Sequence, residues 1–108
     1  MGALKINNMK VKQHKDFKNY LIDEHGNVYS KIGGYDNGSG YRLFKLKNND
    51  GEFIQILGHR ITWEAWNQET IKDGYVIHHK NHIRDDNHID NLAEVTALEN
   101  QRMKKNSK

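Results

Sequence analysis

The sequence predicts an α+β fold: a small N-terminal antiparallel β-sheet and a helix, followed by a strand–loop–strand–helix unit. Three observations predict it. Short apolar or alternating segments are paired across two turn sequences, His-Gly-Asn at 25–27 and Asn-Asn-Asp-Gly at 48–51. Residues 58–67 then change to helical spacing. After residue 75 a β-rich run, a polar stretch, a second short apolar run and a capped helix come in that order. At 108 residues the chain has the length of one domain.

Residues 1–17 read as a basic N-terminal tail, because Lys5, Lys10, Lys12, Lys15 and Lys18 stand against one acid, Asp16. Arg102, Lys104, Lys105 and Lys108 make the far end basic as well. Lys18–Asp23, carrying Tyr20, Leu21 and Ile22, and Val28–Lys31 form a hairpin across the first turn. Gly33–Gly40 holds four glycines and excludes regular structure. Tyr41–Lys47 alternates, with Arg42, Phe44 and Leu46 on one face and Tyr41, Leu43 and Lys45 on the other. With Phe53–Leu57 it makes a second hairpin, so residues 18–57 are expected to form one small antiparallel sheet.

In Gly58–Asn67, Ile61 and Ala65 are four apart and Trp63 and Trp66 three apart, which is helical spacing. Both tryptophans are read as core, since a small sheet needs large side chains to bury enough area. Asp73-Gly74 breaks the pattern, Tyr75–His79 is β-rich, Lys80–Asn91 is a polar loop and Leu92–Val95 a short strand. Thr96 with Glu99 three residues on is a capping box opening the last helix. The expected layout is thus 18–67 for sheet plus helix and 75–105 for the last unit, within one compact domain.

Composition narrows the function. There is no cysteine, which excludes disulfides, thiolate zinc centres and Cys nucleophiles, so any metal must be held by N or O ligands. No apolar run approaches the roughly 20 residues of a membrane span, and the basic N-terminus lacks the apolar core of a signal peptide. An intracellular, cytoplasmic location is the resulting expectation. The net charge of +3 fits a polyanionic partner weakly.

Four of the seven histidines, His78, His79, His82 and His88, fall within eleven residues. His78 and His79 are neighbours on one strand and so point to opposite faces unless the strand twists or ends there. The segment VIHHKNHIRDDNHIDNLAEVTALEN (76–100) resembles the HNH nuclease family, the ββα-metal finger, in its phage and intron-homing branch. His79 precedes Asn91 by 12 residues and Asn100 by 21, which matches the order His, Asn, Asn of that branch. LGHRITWEAW (57–66) resembles the helix that commonly precedes the finger, and the sheet before it resembles the family's DNA-contacting module.

The resemblance implies His79 as general base, His78 and Asn100 as metal ligands, and Asn91 as a brace that orients the base through side-chain to backbone hydrogen bonds. The chemistry suits these residue types. A histidine with an ordinary pKa of about 6.5 can deprotonate water near neutral pH. Mg²⁺ keeps most of its waters and needs few protein ligands. Two positions depart from the pattern. His78 stands where Asp is common, which makes Mn²⁺, Ni²⁺ or Zn²⁺ plausible beside Mg²⁺. His82 stands where Gly is common, three residues after the base, and is open between a further ligand, a phosphate contact and a plain loop residue.

Among the other candidates, His59 reads as a capping or packing residue, and His14, His25 and His88 as surface residues. Asp85 and Asp86 read as a solvated pair rather than a metal site. The function expected from these residues is that of a metal-dependent DNA endonuclease leaving 5′-phosphate and 3′-OH ends, phage- or mobile-element-encoded. Arg42, Lys45 and Lys47 of the sheet and Lys80 and Arg84 of the finger would hold double-stranded DNA. A monomer would nick, and a homodimer could cut both strands. The rival readings are a non-catalytic nucleic-acid- or zinc-binding module of the same fold and an interaction protein with an accidental His cluster.

Overall fold

The computed structural model describes residues 4–6, 9–30, 43–84 and 86–106, with side chains described for 10–30, 43–84 and 86–102. Four strands, β1 (Leu4–Ile6), β2 (Met9–Lys12), β3 (Tyr20–Asp23) and β4 (Val28–Ser30), form an antiparallel sheet in chain order. This corrects the reading of 1–17 as a solvated tail. Lys12 pairs with Ile22, and Val11, His14 and Phe17 are buried. The lysines alternate with apolar residues, so a charge count hides an amphipathic strand whose lysines point outward. His14 is not on the surface either: its Nε2 lies 2.7 Å from Glu64 Oε1. Burial would raise the Glu64 pKa, but hydrogen bonds from His14 and the Ile71 amide outweigh it and hold the carboxyl below its ordinary range.

β5 (Leu43–Lys47) and β6 (Phe53–Leu57) pair from Leu43↔Leu57 to Lys47↔Phe53 as a separate two-stranded ribbon. The expectation of a single sheet over 18–57 therefore fails. β3, its natural neighbour, already has β2 on one edge and β4 on the other. In the turn, Asn48 Oδ1 accepts from the amides of Asp50 and Glu52 at 3.0 and 2.9 Å. Phe44 and Leu46 turn inward, while Leu43, Lys45 and Lys47 face solvent.

Helix α1 (Gly58–Asn67) joins two cores. Ile61 and Ala65 pack with Phe17, Ile22, Val28, Phe44 and Leu46. Trp63 packs with Ile71, Ile77 and Leu92. Trp66 is half-buried against the first core, and its indole Nε1 donates to the carbonyls of Ile22 and Asp23, both at 3.1 Å. Strands β7 (Tyr75–His79) and β8 (Leu92–Thr96) form a hairpin, and α2 (Ala97–Asn106) packs on both. The capping box is present: the Glu99 amide donates to Thr96 Oγ1 at 3.1 Å and the Thr96 amide to Glu99 Oε1 at 3.0 Å. Among the described residues, no helix is long and apolar enough to cross a membrane.

The β3–β4 turn positions the loop between β7 and β8. Asp23 is fully buried, and its carboxylate accepts from the His25 and Asn27 amides, the Asn27 side chain and the Tyr29 hydroxyl, at 2.7–2.9 Å. The turn so fixed docks on that loop. The Ile89 amide donates to the Glu24 carbonyl at 2.8 Å. Gly26 has φ +85°, and a Cβ there would lie 2.8 Å from Asn87 Cβ and 3.1 Å from Thr62 Oγ1. Gly26→Ala should therefore cost more than the roughly 1–2 kcal/mol of a left-handed L-residue, because Asn87 must also move. Chemical denaturation should show that loss, and a variant as stable as the parent would mean the turn does not seat against the loop.

Candidate active site

The loop from Lys80 to Asn91 is organised by two asparagines. Asn91 Nδ2 donates to Asn81 Oδ1 at 3.0 Å and to the Asp86 carbonyl at 2.8 Å, and its Oδ1 accepts from the Asn81 amide at 3.0 Å. The Lys80 amide donates to the Asn91 carbonyl at 2.8 Å. The Asn91 side-chain bonds thus tie the two sides of the loop together. The imidazole of His79 is instead met by Asn87, whose Oδ1 lies 2.8 Å from His79 Nε2. An amide oxygen can only accept, so Nε2 carries the proton and Nδ1 keeps its lone pair. Asn87 is buried. Sequence reasoning missed it, since nothing separates this asparagine by spacing from Asn81 or Asn91 in the same polar loop.

His59, the second residue of α1, is the other residue missed as part of the site. Its ring stacks edge-on against His79, with centroids 5.0 Å apart. It packs, as expected, but onto the candidate base. Burial, followed by the charges of His79 and Arg60, lowers its pKa from 6.5 to about 4. His59 is therefore neutral where His79 works, and it adds bulk beside the base without adding charge.

His78 lies on the same strand, paired across to Ala93. Its ring meets that of His82, centroids 5.1 Å apart. The two adjacent histidines therefore contact different partners, as a period of two requires. His82 has φ +62°. That explains why glycine suits this position, since a left-handed residue there costs roughly 1–2 kcal/mol. Asn100 is half-buried in the first turn of α2, the helix packed on β7 and β8. One imidazole and one amide oxygen, both part-accessible, form a donor set that suits a divalent ion keeping several waters. The second imidazole of His82 shifts preference toward transition ions.

Lys80 and Arg84 are exposed on the loop. Lys80 lines an open cleft with Asn81, Asp86, His88, Asp90 and Asn91. Lys45 and Lys47 are exposed on the ribbon, each with its ammonium just under 6 Å from the Phe53 ring, at 5.9 and 5.8 Å. Phe53 is 61% exposed, and Leu43 and Leu57 are exposed on the same ribbon. Arg42 and Asp85 lie outside the described residues.

The lowered pKa of His59 gives a pH test. Its folded value of about 4 lies below the unfolded value of 6.5. On acidification the unfolded chain takes up this proton first. The stability due to neutral His59 is complete above pH 6.5 and is lost as the pH falls toward 4. Thermal melts should show a loss of roughly 1–2 kcal/mol over that range, reduced from the full linkage value because part of the ring meets water. His59→Gln should have a shallower slope in the same window, and identical slopes would contradict the assignment.

Comparison with known proteins agrees with this geometry. Residues 57–102 match the family model described as HNH endonuclease. No curated protein matches the chain. Among solved structures, the one described as "DNA binding and cleavage by the HNH homing endonuclease I-HmuI" is similar at a TM-score of 0.55 and 24% identity, over 100% of this chain. The chain spans 62% of the length of that protein. At this identity the likeness is one of fold, a mixed α and β arrangement with antiparallel strands.

Proposed function

With residues 57–102 forming a segment of the HNH endonuclease family, we propose that the chain is a metal-dependent endonuclease that hydrolyses DNA phosphodiester bonds. The observation that carries this reading is the state of His79, held through Nε2 by Asn87 so that Nδ1 is the basic nitrogen. Nδ1 takes a proton from water as the water oxygen attacks phosphorus. The bond from phosphorus to O3′ breaks, O3′ leaves and is protonated, and 5′-phosphate and 3′-OH ends result. His78 and Asn100 would hold a divalent ion, Mg²⁺ or a transition ion such as Mn²⁺, Ni²⁺ or Zn²⁺. When bound, that ion neutralises charge on the phosphate and on the departing oxygen. Asn91 acts as a positioning residue, since its side-chain bonds stay within the loop that presents Asn87. His59 shields the base on the α1 side.

Double-stranded DNA is the substrate that the surface favours. The β5–β6 ribbon presents Lys45 and Lys47 around an exposed Phe53, and a two-stranded ribbon fits a major groove. Lys80 and Arg84 would meet phosphates beside the cut, and Arg42 would extend the ribbon's grip. One active site cleaves one strand, so the monomer nicks, and double-strand cleavage requires a homodimer or two binding events. A phage or mobile-element origin and an intracellular setting accord with this activity.

Nicking of supercoiled plasmid across Mg²⁺, Mn²⁺, Ni²⁺ and Zn²⁺, with an EDTA control, tests the reading. Cleavage should require metal, and His79→Ala should lower it roughly 10²–10⁴-fold with DNA binding intact. Binding without metal-dependent nicking would leave a non-catalytic module of the same fold. The ribbon is tested separately. Replacing Lys45 and Lys47 together should flatten the slope of log K against log salt by up to about 1.8, measured by fluorescence anisotropy on a short duplex. An unchanged slope would make the ribbon a scaffold and assign the grip to the finger.

A further inference from the structure

We propose that Glu24, His25 and His88 form a second metal site, for a zinc-class divalent transition ion, that clips the β3–β4 turn to the finger loop. The three side chains each offer a ligand atom, and these atoms lie within 4.8 Å of one another. The rings of His25 and His88 meet edge-on, centroids 4.7 Å apart, and His25 Nε2 is 3.9 Å from Glu24 Oε1. Tetrahedral Zn²⁺ with bonds of about 2.0–2.1 Å needs ligand atoms roughly 3.3–3.5 Å apart. The set is therefore about an ångström from closing. Side-chain rotation can supply that, because His25 is 56% exposed and Glu24 43%.

The donor chemistry selects the ion. Two imidazoles and one carboxylate, with water in the fourth position, suit Zn²⁺, Ni²⁺ or Cu²⁺ and disfavour Mg²⁺ and Ca²⁺. The backbone that carries the ligands is already fixed, so binding orders little chain. The His25 amide is held by Asp23 Oδ1 at 2.9 Å, and the Glu24 carbonyl by the Ile89 amide at 2.8 Å. Between His25 and His88, Gly26 seats against Asn87. His88 Nδ1 now accepts from the Asp90 amide at 3.1 Å. Coordination through Nε2 moves the ring proton to Nδ1, where the Asp90 carboxylate, 3.7 Å away, becomes its partner.

The site shares no residue with the His78 and Asn100 pair and does not depend on the proposed reaction. It does adjoin it, because His88 follows Asn87, the residue that meets His79. An ion here holds the loop and the turn as one piece, joining segments more than 60 residues apart in the chain.

Calorimetric titration of the metal-free chain with Zn²⁺, together with thermal melts, tests the site. In the His78→Ala, Asn100→Ala background, one equivalent of Zn²⁺ should still bind and should raise Tm by roughly 10 °C at a hundredfold excess over Kd. Adding His25→Ala and His88→Ala should abolish both effects, with the fold checked by circular dichroism. Glu24→Gln keeps both rings and should weaken Zn²⁺ at least tenfold, which tests the site even if the histidine variant is poorly folded. The proposal is overturned if that background binds no Zn²⁺, or if the binding survives Glu24→Gln undiminished and persists without the two histidines. Loss of plasmid nicking with Zn²⁺ stoichiometry intact would count against the reaction and in favour of this site.

Discussion

The buried carboxylate of Asp23 is what the rest of the site depends on. Leaving a charge without solvent is expensive unless every lone pair is met, and here four donors from the turn and from Tyr29 meet it. That network gives the turn one shape. The turn then carries the Glu24 carbonyl to the Ile89 amide and Gly26 to Asn87. Asn87 reaches His79 because its backbone rests against a turn that cannot collapse. The catalytic geometry of a loop poor in apolar side chains is thus set by a hairpin more than 50 residues earlier in the chain.

Helix α1 is the second element on which this relies. It offers apolar residues on two sides, so the sheet core and the finger core grow from one rod. The sheet holds the turn, the finger holds His79, and α1 sets their spacing. His59 lies where this scaffold touches the chemistry, packed on the base and kept neutral by burial.

Much of the fold is legible from the residues. The β3–β4 and β5–β6 hairpins, α1, the final ββα unit and the Thr96–Glu99 box arise from local turn chemistry, periodicity and capping, which act over a few residues. The N-terminal strands are hidden because Lys10 and Lys12 read as solvated charge, although each alternates with a residue that packs inward. The pairing of β2 with β3 and the separation of the β5–β6 ribbon are tertiary choices, made by competition for one strand edge. In the site, the candidate residues His78, His79, Asn91 and Asn100 stand out through a spacing, but Asn87 and His59 do not. Their roles come from contacts across 8 and 20 residues that no local pattern encodes. His14, His25 and His88 look alike as polar surface residues, yet one is buried against Glu64 and two meet across the turn. His82 is the reverse case: the departure from glycine is visible in the sequence, and its positive φ explains it.

The proposed chemistry rests on His79 being a base whose free nitrogen is Nδ1 because Asn87 holds the other. Long-range ¹H–¹⁵N NMR correlation spectra of the histidine rings at neutral pH test this directly. Neutral His79 should be the Nε2–H tautomer, with Nδ1 at the high-frequency ¹⁵N shift of an unprotonated ring nitrogen. An Nδ1–H tautomer at His79 would contradict this chemistry, because the nitrogen assigned to water would then already carry the proton.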